Sequence, residues 1–153
     1  MNRHLITSGG YKKLIQKFEN LNKKLKAAQK EVADAMGDGD FREDSKYATA
    51  INERSKVEKS IDDLKEIIDT SSITAPDMSS DVVSFGRSAE VQNLDTDEIK
   101  TITIVGIHES EPSQGEISYV SPFGKAMLGL AQGDGFEVIT PTRESSWEVL
   151  KII

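Results

Sequence analysis

Two heptad seams, separated by a short segment, constrain this chain more than any other feature of its sequence. In the first seam apolar residues recur at alternating steps of four and three: Leu14, Phe18, Leu21, Leu25, Ala28, Val32 and Ala35. In the second the steps are three and four: Tyr47, Ala50, Arg54, Val57, Ile61, Leu64 and Ile68. This spacing is typical of helices that pack along a coiled-coil seam. The segment between the seams is so short that the second helix must return antiparallel to the first.

The ends of the first helix can also be predicted. Small residues beginning at Ser8 suit a helix start and Gly37 suits a stop, so we expect a helix from about Gly10 to Met36. Such a helix would be roughly 40 Å long at 1.5 Å per residue. Arg54 interrupts the second apolar seam, and its side chain either extends outward to solvent or pairs with an acidic neighbour.

Beyond the helices the pattern changes to short β-type runs. A polar stretch at 70–80, with Pro76 inside it, reads as a linker. The predicted strands that follow are 82–85, 90–94, 100–105, 116–120, 136–140 and 147–152. One helical piece interrupts them, with Pro122 in its first turn and Gly129 at its end.

These patterns predict an α+β chain of two domains. Residues 1–75 form an antiparallel helical coiled-coil hairpin, and residues 76–153 form a small antiparallel sheet domain with one short helix. We find no internal repeat and no low-complexity tract.

Composition excludes several classes of protein. The absence of cysteine excludes disulfides and cysteine-ligated zinc and fits a reducing cytosol. We expect no signal peptide, because no long apolar core follows the N-terminal residues, and no membrane span, because no run of about 18 apolar residues occurs. Residues 76–153 hold 5 Lys and Arg against 13 Asp and Glu. Such an acidic half is poorly suited to phosphate backbones and better suited to a protein partner.

The segment between the helices concentrates negative charge. It contains four carboxylates, Asp38, Asp40, Glu43 and Asp44, whereas residues 10–30 hold seven Lys and one Glu. Mutual repulsion makes such a cluster unfavourable unless a cation or a cationic surface meets it. Mg²⁺ fits, because it is often held by one or two protein carboxylates while water or phosphate completes its shell. The tip could therefore supply part of a magnesium site shared with another macromolecule.

Helix capping is an alternative explanation for two of these acids. Asp40 and Glu43 have the spacing of a capping box, with Asp40 as N-cap of the second helix. Acidic residues are also favoured near a helix N-terminus by its dipole. Capping does not account for Asp38, which precedes the cap, and it does not explain the contrast with the basic stem. Both interpretations stay open at this point.

Other candidate residues give weaker signals. His4 and His108 lie far apart in the sequence without a partner motif, which favours a solvent-facing or structural role for each. Phe123, Phe136 and Trp147 are expected in the core of the small domain. Glycine-rich phosphate loops and nucleophile elbows are absent from the sequence, so no self-contained active site is visible.

Several segments resemble the patterns of one protein family. Residues 39–47 read Gly-Asp-Phe-Arg-Glu-Asp-Ser-Lys-Tyr, residues 7–14 read Thr-x-x-Gly-Tyr-x-x-Leu, and residues 117–129 read Ile-Ser-Tyr-Val-Ser-Pro-Phe-Gly-Lys-Ala-Met-Leu-Gly. The first is similar to the tip pattern Gly-Asp-Leu-x-Glu-Asn-x-x-Tyr of the Gre family of bacterial transcript-cleavage and elongation factors. The others are similar to the opening of that family and to its Ile-Ser-x-x-Ser-Pro-x-x-x-Ala-Leu-x-Gly segment. The likeness covers nearly the whole chain.

The resemblance implies a fold and a way of working. It implies a coiled-coil N-terminal domain and a C-terminal domain similar to the FK506-binding (FKBP) fold, in a cytoplasmic monomer. The small domain would dock at the rim of the RNA polymerase secondary channel through residues that include Ser121 and Pro122, while the hairpin passes inward. Polymerase would perform the chemistry, so the chain would not itself be an enzyme.

The resemblance also implies roles for the tip. The acids that match the family's pattern, Asp40 and Glu43, would help hold a second Mg²⁺ and a water beside the polymerase's own metal, with Asp44 as a further candidate and Tyr47 as a support of the tip. Backtracked RNA would then be cleaved near its 3′ end. The physical logic is two-metal hydrolysis, in which one ion activates the nucleophile and the other stabilises the leaving oxygen.

Departures from the family pattern suggest alternatives. Asp44 stands where the family usually has Asn, Lys46 where it often has Glu, and Met36 where it often has Arg. The loss of that Arg weakens the basic patch expected to hold the RNA 3′ end. The details look nearer to the GreA type than to the GreB type. Because of extra acids such as Asp38, the sequence is also similar to Gre-like inhibitors, which block the channel. A prolyl isomerase or chaperone is less favoured, because the second domain has few aromatic residues to line a proline pocket.

Overall fold

A computed structural model describes residues 3–37 and 45–153 of the chain. The candidate tip acids Asp38, Asp40, Glu43 and Asp44 lie outside the described residues. The elements in chain order are β1 (His4–Ile6), α1 (Ser8–Gly37), α2 (Ser45–Asp69), β2 (Ser71–Ile73), β3 (Ser88–Asn93), β4 (Ile99–Val105), β5 (Glu116–Ser118), α3 (Pro122–Met127), β6 (Gly135–Ile139) and β7 (Glu144–Ile152). A short 3-10 helix, Pro112–Gln114, precedes β5.

The chain divides into two compact units. The hairpin unit is Tyr11–Thr70, and the sheet unit combines Met1–Gly10 with Ser71–Ile153. The sequence pattern placed the boundary after residue 75 and grouped the first ten residues with the hairpin. The contacts group them with the sheet instead, because β1 pairs in parallel with β2, from His4 opposite Ser71 to Ile6 opposite Ile73.

The hairpin unit contains the two predicted long helices. Its buried apolar residues are Leu14, Val32 and Ala35 of α1 and Ala50 and Leu64 of α2, and all five are seam positions. Arg54, the polar residue on the seam, has its Nε 3.7 Å from Glu58 Oε1, one helical turn away. Across residues 3–37 and 45–153, no helix has the length and apolarity needed to cross a membrane.

The sheet unit is built on five strands in the order β5-β4-β3-β7-β6. All neighbouring pairs are antiparallel except β4 and β5, which are parallel. The sequence pattern predicted an antiparallel sheet throughout, and it missed this pair because the alternation of side chains does not encode strand direction. The predicted strand 82–85 is also absent, and only Val82 forms a bridge, to Ala131. Within that run only Val83 is buried, and its backbone N–H donates a hydrogen bond to the Leu130 carbonyl oxygen at 2.8 Å.

The core of the sheet unit lies between one face of the sheet and α3. Its buried members are Val83, Ala89, Val91, Ile102, Ile104, Met127, Phe136, Val138, Trp147 and Val149. Phe123 packs edge-on against Trp147 with ring centroids 5.1 Å apart, and Phe136 stacks on Trp147 at 6.5 Å. The prediction that these aromatic residues belong to the core is confirmed for Phe136 and Trp147, whereas Phe123 is partly buried and packs against that core.

Strand β1 is an integral part of the sheet unit. Ile6 is only 2% exposed, and its carbonyl oxygen accepts a hydrogen bond from Thr74 N–H at 2.8 Å. Gly106 lies so close that a Cβ at this position would collide with the Leu5 carbonyl oxygen. The segment before the hairpin is therefore packed into the unit that follows the hairpin.

This packing predicts unequal effects for two partners in the β1–β2 pair. Ile6→Ala should lower the free energy of unfolding of the sheet unit by about 2–4 kcal/mol, because it removes a fully buried side chain. Ile73→Ala, its matched control, should cost less than about 0.5 kcal/mol, because Ile73 is 54% exposed. Urea unfolding followed by the fluorescence of Trp147, the single tryptophan, measures both. Equal losses would contradict the assignment of β1 to the core.

Candidate functional site

The described part of the hairpin ends on either side of the acidic tip segment. Helix α1 ends at Gly37 and α2 begins at Ser45, so the three predicted site acids fall in the interval between them. Tyr47, the predicted support of the tip, lies half-buried in the first turn of α2. Met36 lies in the last turn of α1 and is 49% exposed.

A groove lies between α1 and α2 close to these helix ends. It encloses about 370 Å³ and is lined by Ala28, Glu31, Asp34 and Ala35 of α1 and by Ser45, Lys46, Thr49, Ala50 and Glu53 of α2. Three of the seam positions here are alanines, so the seam carries little apolar volume at this level. Three carboxylates and one ammonium line the groove, so the excess of acid extends inward from the tip segment onto the helices.

The charge of α1 reverses along its length. All seven lysines between residues 12 and 30 are exposed, whereas the acids Glu31 and Asp34 follow them and the last turn of α1 carries no basic residue. A helix C-terminus ordinarily favours cations because of its dipole. The acidic end therefore opposes the local electrostatic preference of α1.

The predicted docking residues form a rigid turn at the start of α3. Ser121 is the N-cap: its Oγ accepts a hydrogen bond from Gly124 N–H at 3.1 Å and donates one to the Ser118 carbonyl oxygen at 2.7 Å. A Cβ at Gly124 would collide with the same carbonyl oxygen, so glycine is required there. Pro122 occupies the first helical position and is exposed. The hydroxyl of Ser121 is thus engaged inside the turn, and the proline is the group presented outward.

Val120 extends this exposed turn, and the sequence interpretation did not include it. It immediately precedes the N-cap and is 41% exposed. An apolar residue at this position often packs on the residue four positions after the N-cap, but that residue here is Lys125. A sequence signal could have identified Val120. It is an apolar residue directly before a Ser-Pro helix cap, and the position four residues after that cap is polar.

A groove of about 710 Å³ adjoins this turn in the sheet unit. Phe123, which follows Pro122, lines it together with Trp147, Val138, Lys100 and Arg143. Lys100 lies over the indole of Trp147, 6.0 Å from the ring centroid. Although residues 76–153 hold 13 acids, none of them lines this groove. An apolar floor with two cations at its edge suits a protein surface that carries apolar and acidic side chains.

The two histidines, which show no relation in the sequence, are neighbours in the sheet unit. The rings of His4 and His108 lie 5.4 Å apart between centroids at an interplanar angle of 86°. Partial burial, and secondly the nearby His4, lower the pKa of His108 below its ordinary value. The pairing depends on β1, which sequence patterns did not reveal.

The cap geometry predicts the effect of losing the Ser121 hydroxyl. Ser121→Ala should destabilise the sheet unit by about 1 kcal/mol, the usual cost of removing an N-cap. The fluorescence of Trp147 reports it in urea unfolding, because Trp147 contacts Phe123 of α3. Ser113→Ala, which removes an exposed hydroxyl bonded only to the Glu111 side chain, should change stability by less than about 0.5 kcal/mol. A Ser121→Ala variant as stable as this control would contradict the capping role.

The histidine pair predicts a coupled titration. In an NMR titration His108 should have a pKa below the ordinary value of about 6.5. His4→Gln should raise this pKa while leaving it below that value, because burial, the larger cause, remains. A histidine whose pKa is lower in the folded state stabilises the fold at neutral pH and loses that contribution as pH falls through its unfolded pKa. An unchanged His108 pKa in the His4→Gln variant would contradict the pairing.

Comparison with known sequences identifies the family. The family "Transcription elongation factor, GreA/GreB, C-term" matches residues 78–153, and "Transcription elongation factor, N-terminal" of the same group matches residues 4–73. Transcription elongation factor GreA of Helicobacter pylori (strain Shi470) is 35% identical over 99% of this chain and 94% of its own length. Transcription elongation factor GreA of Alkaliphilus oremlandii is 37% identical over 97% of this chain and 94% of its own length.

Among solved structures, GreA factor homolog 1 of Thermus thermophilus matches 99% of both chains with 28% identity and a TM-score of 0.46. The family assignment follows from the sequence matches, which span both units. The chain belongs to the GreA/GreB family of transcription elongation factors.

Proposed function

We propose that this protein inserts its helical hairpin into the secondary channel of RNA polymerase and stimulates Mg²⁺-dependent cleavage of backtracked RNA, which rescues stalled complexes. Membership of the elongation-factor family supports the general role. The observation that carries the specific role is the reversal of charge along α1, from an exposed lysine-rich stem to an acidic end.

The stem has the properties that a channel-entering arm needs. Helix α1 has 30 residues, which corresponds to about 45 Å at 1.5 Å per residue. Its exposed lysines would be attracted along a path lined with phosphates and acidic groups. Charge attraction of this kind steers entry and weakens with salt, so the proposed insertion depends on ionic strength.

The acidic end supplies the ligands. Asp40 and Glu43, with Asp44 as a further candidate, would hold Mg²⁺ jointly with the polymerase and close to the RNA 3′ end. Carboxylate oxygens are the donors that Mg²⁺ prefers, so the donor set fits the ion. When bound, this ion supplies the second metal of a two-metal hydrolysis. The polymerase performs the reaction, and this chain contributes ligands and their placement.

The sheet unit supplies the docking surface. This surface would include the exposed Val120 and Pro122 and the groove that is lined by Phe123, Lys100 and Arg143. The rest of the unit is acidic, which disfavours nucleic acid as its partner. A protein surface at the channel rim fits this chemistry.

The metal role predicts a separation of stability from activity at Asp40. Asp40→Asn should preserve the helical hairpin, because Asn caps a helix about as well as Asp. It should lower factor-stimulated cleavage at least about tenfold, since even an outer-shell partner of a metal site is commonly worth that much. The assay adds the protein and Mg²⁺ to a stalled, backtracked polymerase and measures the release of short 3′ RNA fragments. Asp62→Asn, an exposed acid elsewhere on α2, is the matched control.

The same assay distinguishes the competing functions. A fully active Asp40→Asn variant would show that Asp40 is a cap and not a ligand. A wild-type protein that blocks nucleotide addition without releasing fragments would identify a channel-blocking inhibitor, the alternative suggested by the extra acids Asp38 and Asp44. Turnover of a proline-containing peptide would identify the isomerase alternative.

A further inference from the structure

Glu109 connects the loop after β4 to the start of the hairpin. Its Oε2 accepts hydrogen bonds from the backbone N–H of Thr7 at 2.8 Å and of Gly106 at 3.0 Å, and its Oε1 accepts the hydroxyl of Thr7. The Thr7 Oγ1 in turn accepts the backbone N–H of Gly10 at 3.0 Å, in the first turn of α1. Hydrogen bonds to a carboxylate are stronger than neutral ones, and linked bonds reinforce each other.

Two glycines make room for this carboxylate. A Cβ at Gly10 would collide with Glu109 Oε1, and a Cβ at Gly106 would lie 2.8 Å from Glu109 Oε2. Neither glycine has a positive φ, so close approach rather than backbone conformation favours glycine, with Glu109 approaching Gly10 and both the Leu5 carbonyl oxygen and Glu109 approaching Gly106. The carboxylate therefore occupies a slot shaped by the first turn of α1 on one side and the Gly106 loop on the other.

Helix α1 continues from this slot without interruption. It runs as one helix from Ser8 to Gly37, and its residues up to Gly10 belong to the sheet unit while the rest belongs to the hairpin unit. We propose that Glu109 is a positioning residue, which fixes the first turn of α1 to the sheet unit so that docking of that unit places the acidic tip. This inference rests on the proposed function.

The length of α1 explains why the orientation of its first turn matters. An angular error of 10° at the base of a 30-residue helix displaces its far end by roughly 8 Å, given 1.5 Å of rise per residue. Catalytic geometry tolerates far less, since a misplacement of about 1 Å can cost about 100-fold in rate. A few bonds at the base of the arm can therefore control activity at its end.

Glu109 is separate from the contacts that hold the sheet unit together. Ile6 and the β1–β2 pairing secure the residues before Thr7, whereas Glu109 acts on Thr7 and the turn that follows it. Its removal should loosen the start of α1 while the sheet unit stays folded, as Trp147 fluorescence in urea will show.

Two substitutions distinguish the hydrogen bonds from the charge. Glu109→Ala removes both, whereas Glu109→Gln removes only the charge. The amide oxygen can still accept the two backbone N–H groups, and its NH₂ can donate to the Thr7 hydroxyl. Glu137→Ala, which removes an exposed carboxylate from β6, controls for a general change of charge. Thr7→Val removes the linking hydroxyl and provides the same test if Glu109→Ala does not fold.

The kinetic test measures RNA cleavage by backtracked polymerase as a function of factor concentration. At saturation Glu109→Ala should lower the cleavage rate at least about tenfold, with the half-saturating concentration unchanged, as expected for misplacement of the reacting groups. The Glu109→Gln variant should cleave RNA within about twofold of the wild-type rate, because its amide can form the hydrogen bonds that the Glu109 carboxylate forms. An unchanged plateau in Glu109→Ala, a change in half-saturation alone, or an equal loss in Glu109→Gln would overturn the proposal.

A second measurement does not depend on activity. Because the chain contains no cysteine, spin labels can be placed at cysteines introduced at the exposed positions Gln29 and Gln132. The distribution of distances between them should broaden in Glu109→Ala and not in Glu109→Gln or Glu137→Ala. A distribution that stays the same in Glu109→Ala would overturn the proposal. If the wild-type protein releases no RNA fragments, the proposed function fails, but this measurement still decides the role of Glu109.

Discussion

The parallel pairing of β1 with β2 is the constraint on which the rest of the molecule depends. Parallel strands cannot be joined by a tight turn and need a long crossover, and here the crossover is the entire helical hairpin. Strands of three residues are too short to pair stably alone. Burial of Ile6 supplies part of what the pairing lacks. Strands β1 and β2 therefore directly flank the two long helices in the chain.

Charge is distributed unevenly within both units. Residues 1–75 hold 14 Lys and Arg against 13 Asp and Glu, and seven of those bases are the exposed lysines between residues 12 and 30 of α1. The sheet unit is acidic overall, yet two of its cations, Lys100 and Arg143, edge the groove beside Pro122. The net negative charge of the sheet unit thus disfavours nonspecific contact with nucleic acid. The local charges of the α1 lysines and of the groove cations would instead favour particular partners.

The sequence predicted those parts of the fold in which apolar residues recur with a clear period or in which a proline marks the start of a helix. The seams from Leu14 and Tyr47 predicted both long helices, and Pro122 marked the start of α3. Strands β1 and β2 were not predicted, because three residues are too few to show alternation. The polar stretch that contains β2 therefore read as a linker. The parallel β4–β5 pair was missed for a different reason, since a strand pattern carries no direction.

Prediction of the candidate site was limited in the same way. Ser121 and Pro122 were found through a motif, but the motif could not show that the hydroxyl of Ser121 turns inward and that Val120 is exposed beside it. The neighbouring positions of His4 and His108, and the bonds of Glu109, depend on where β1 packs. These contacts join residues about 100 positions apart, and local patterns contain no information on such pairs.

The seam of the hairpin changes in size along its length, and this change is connected with its charge. The buried seam residues Leu14 and Leu64 are leucines, whereas Ala28, Ala35 and Ala50 line the groove between α1 and α2, where less apolar surface is removed from water. The same level carries Glu31, Asp34 and Glu53, whose mutual repulsion opposes close packing. The seam is therefore less stabilised at the level of this groove than at the two leucines. A cation bound beside these carboxylates would relieve the repulsion and stabilise the folded hairpin by mass action.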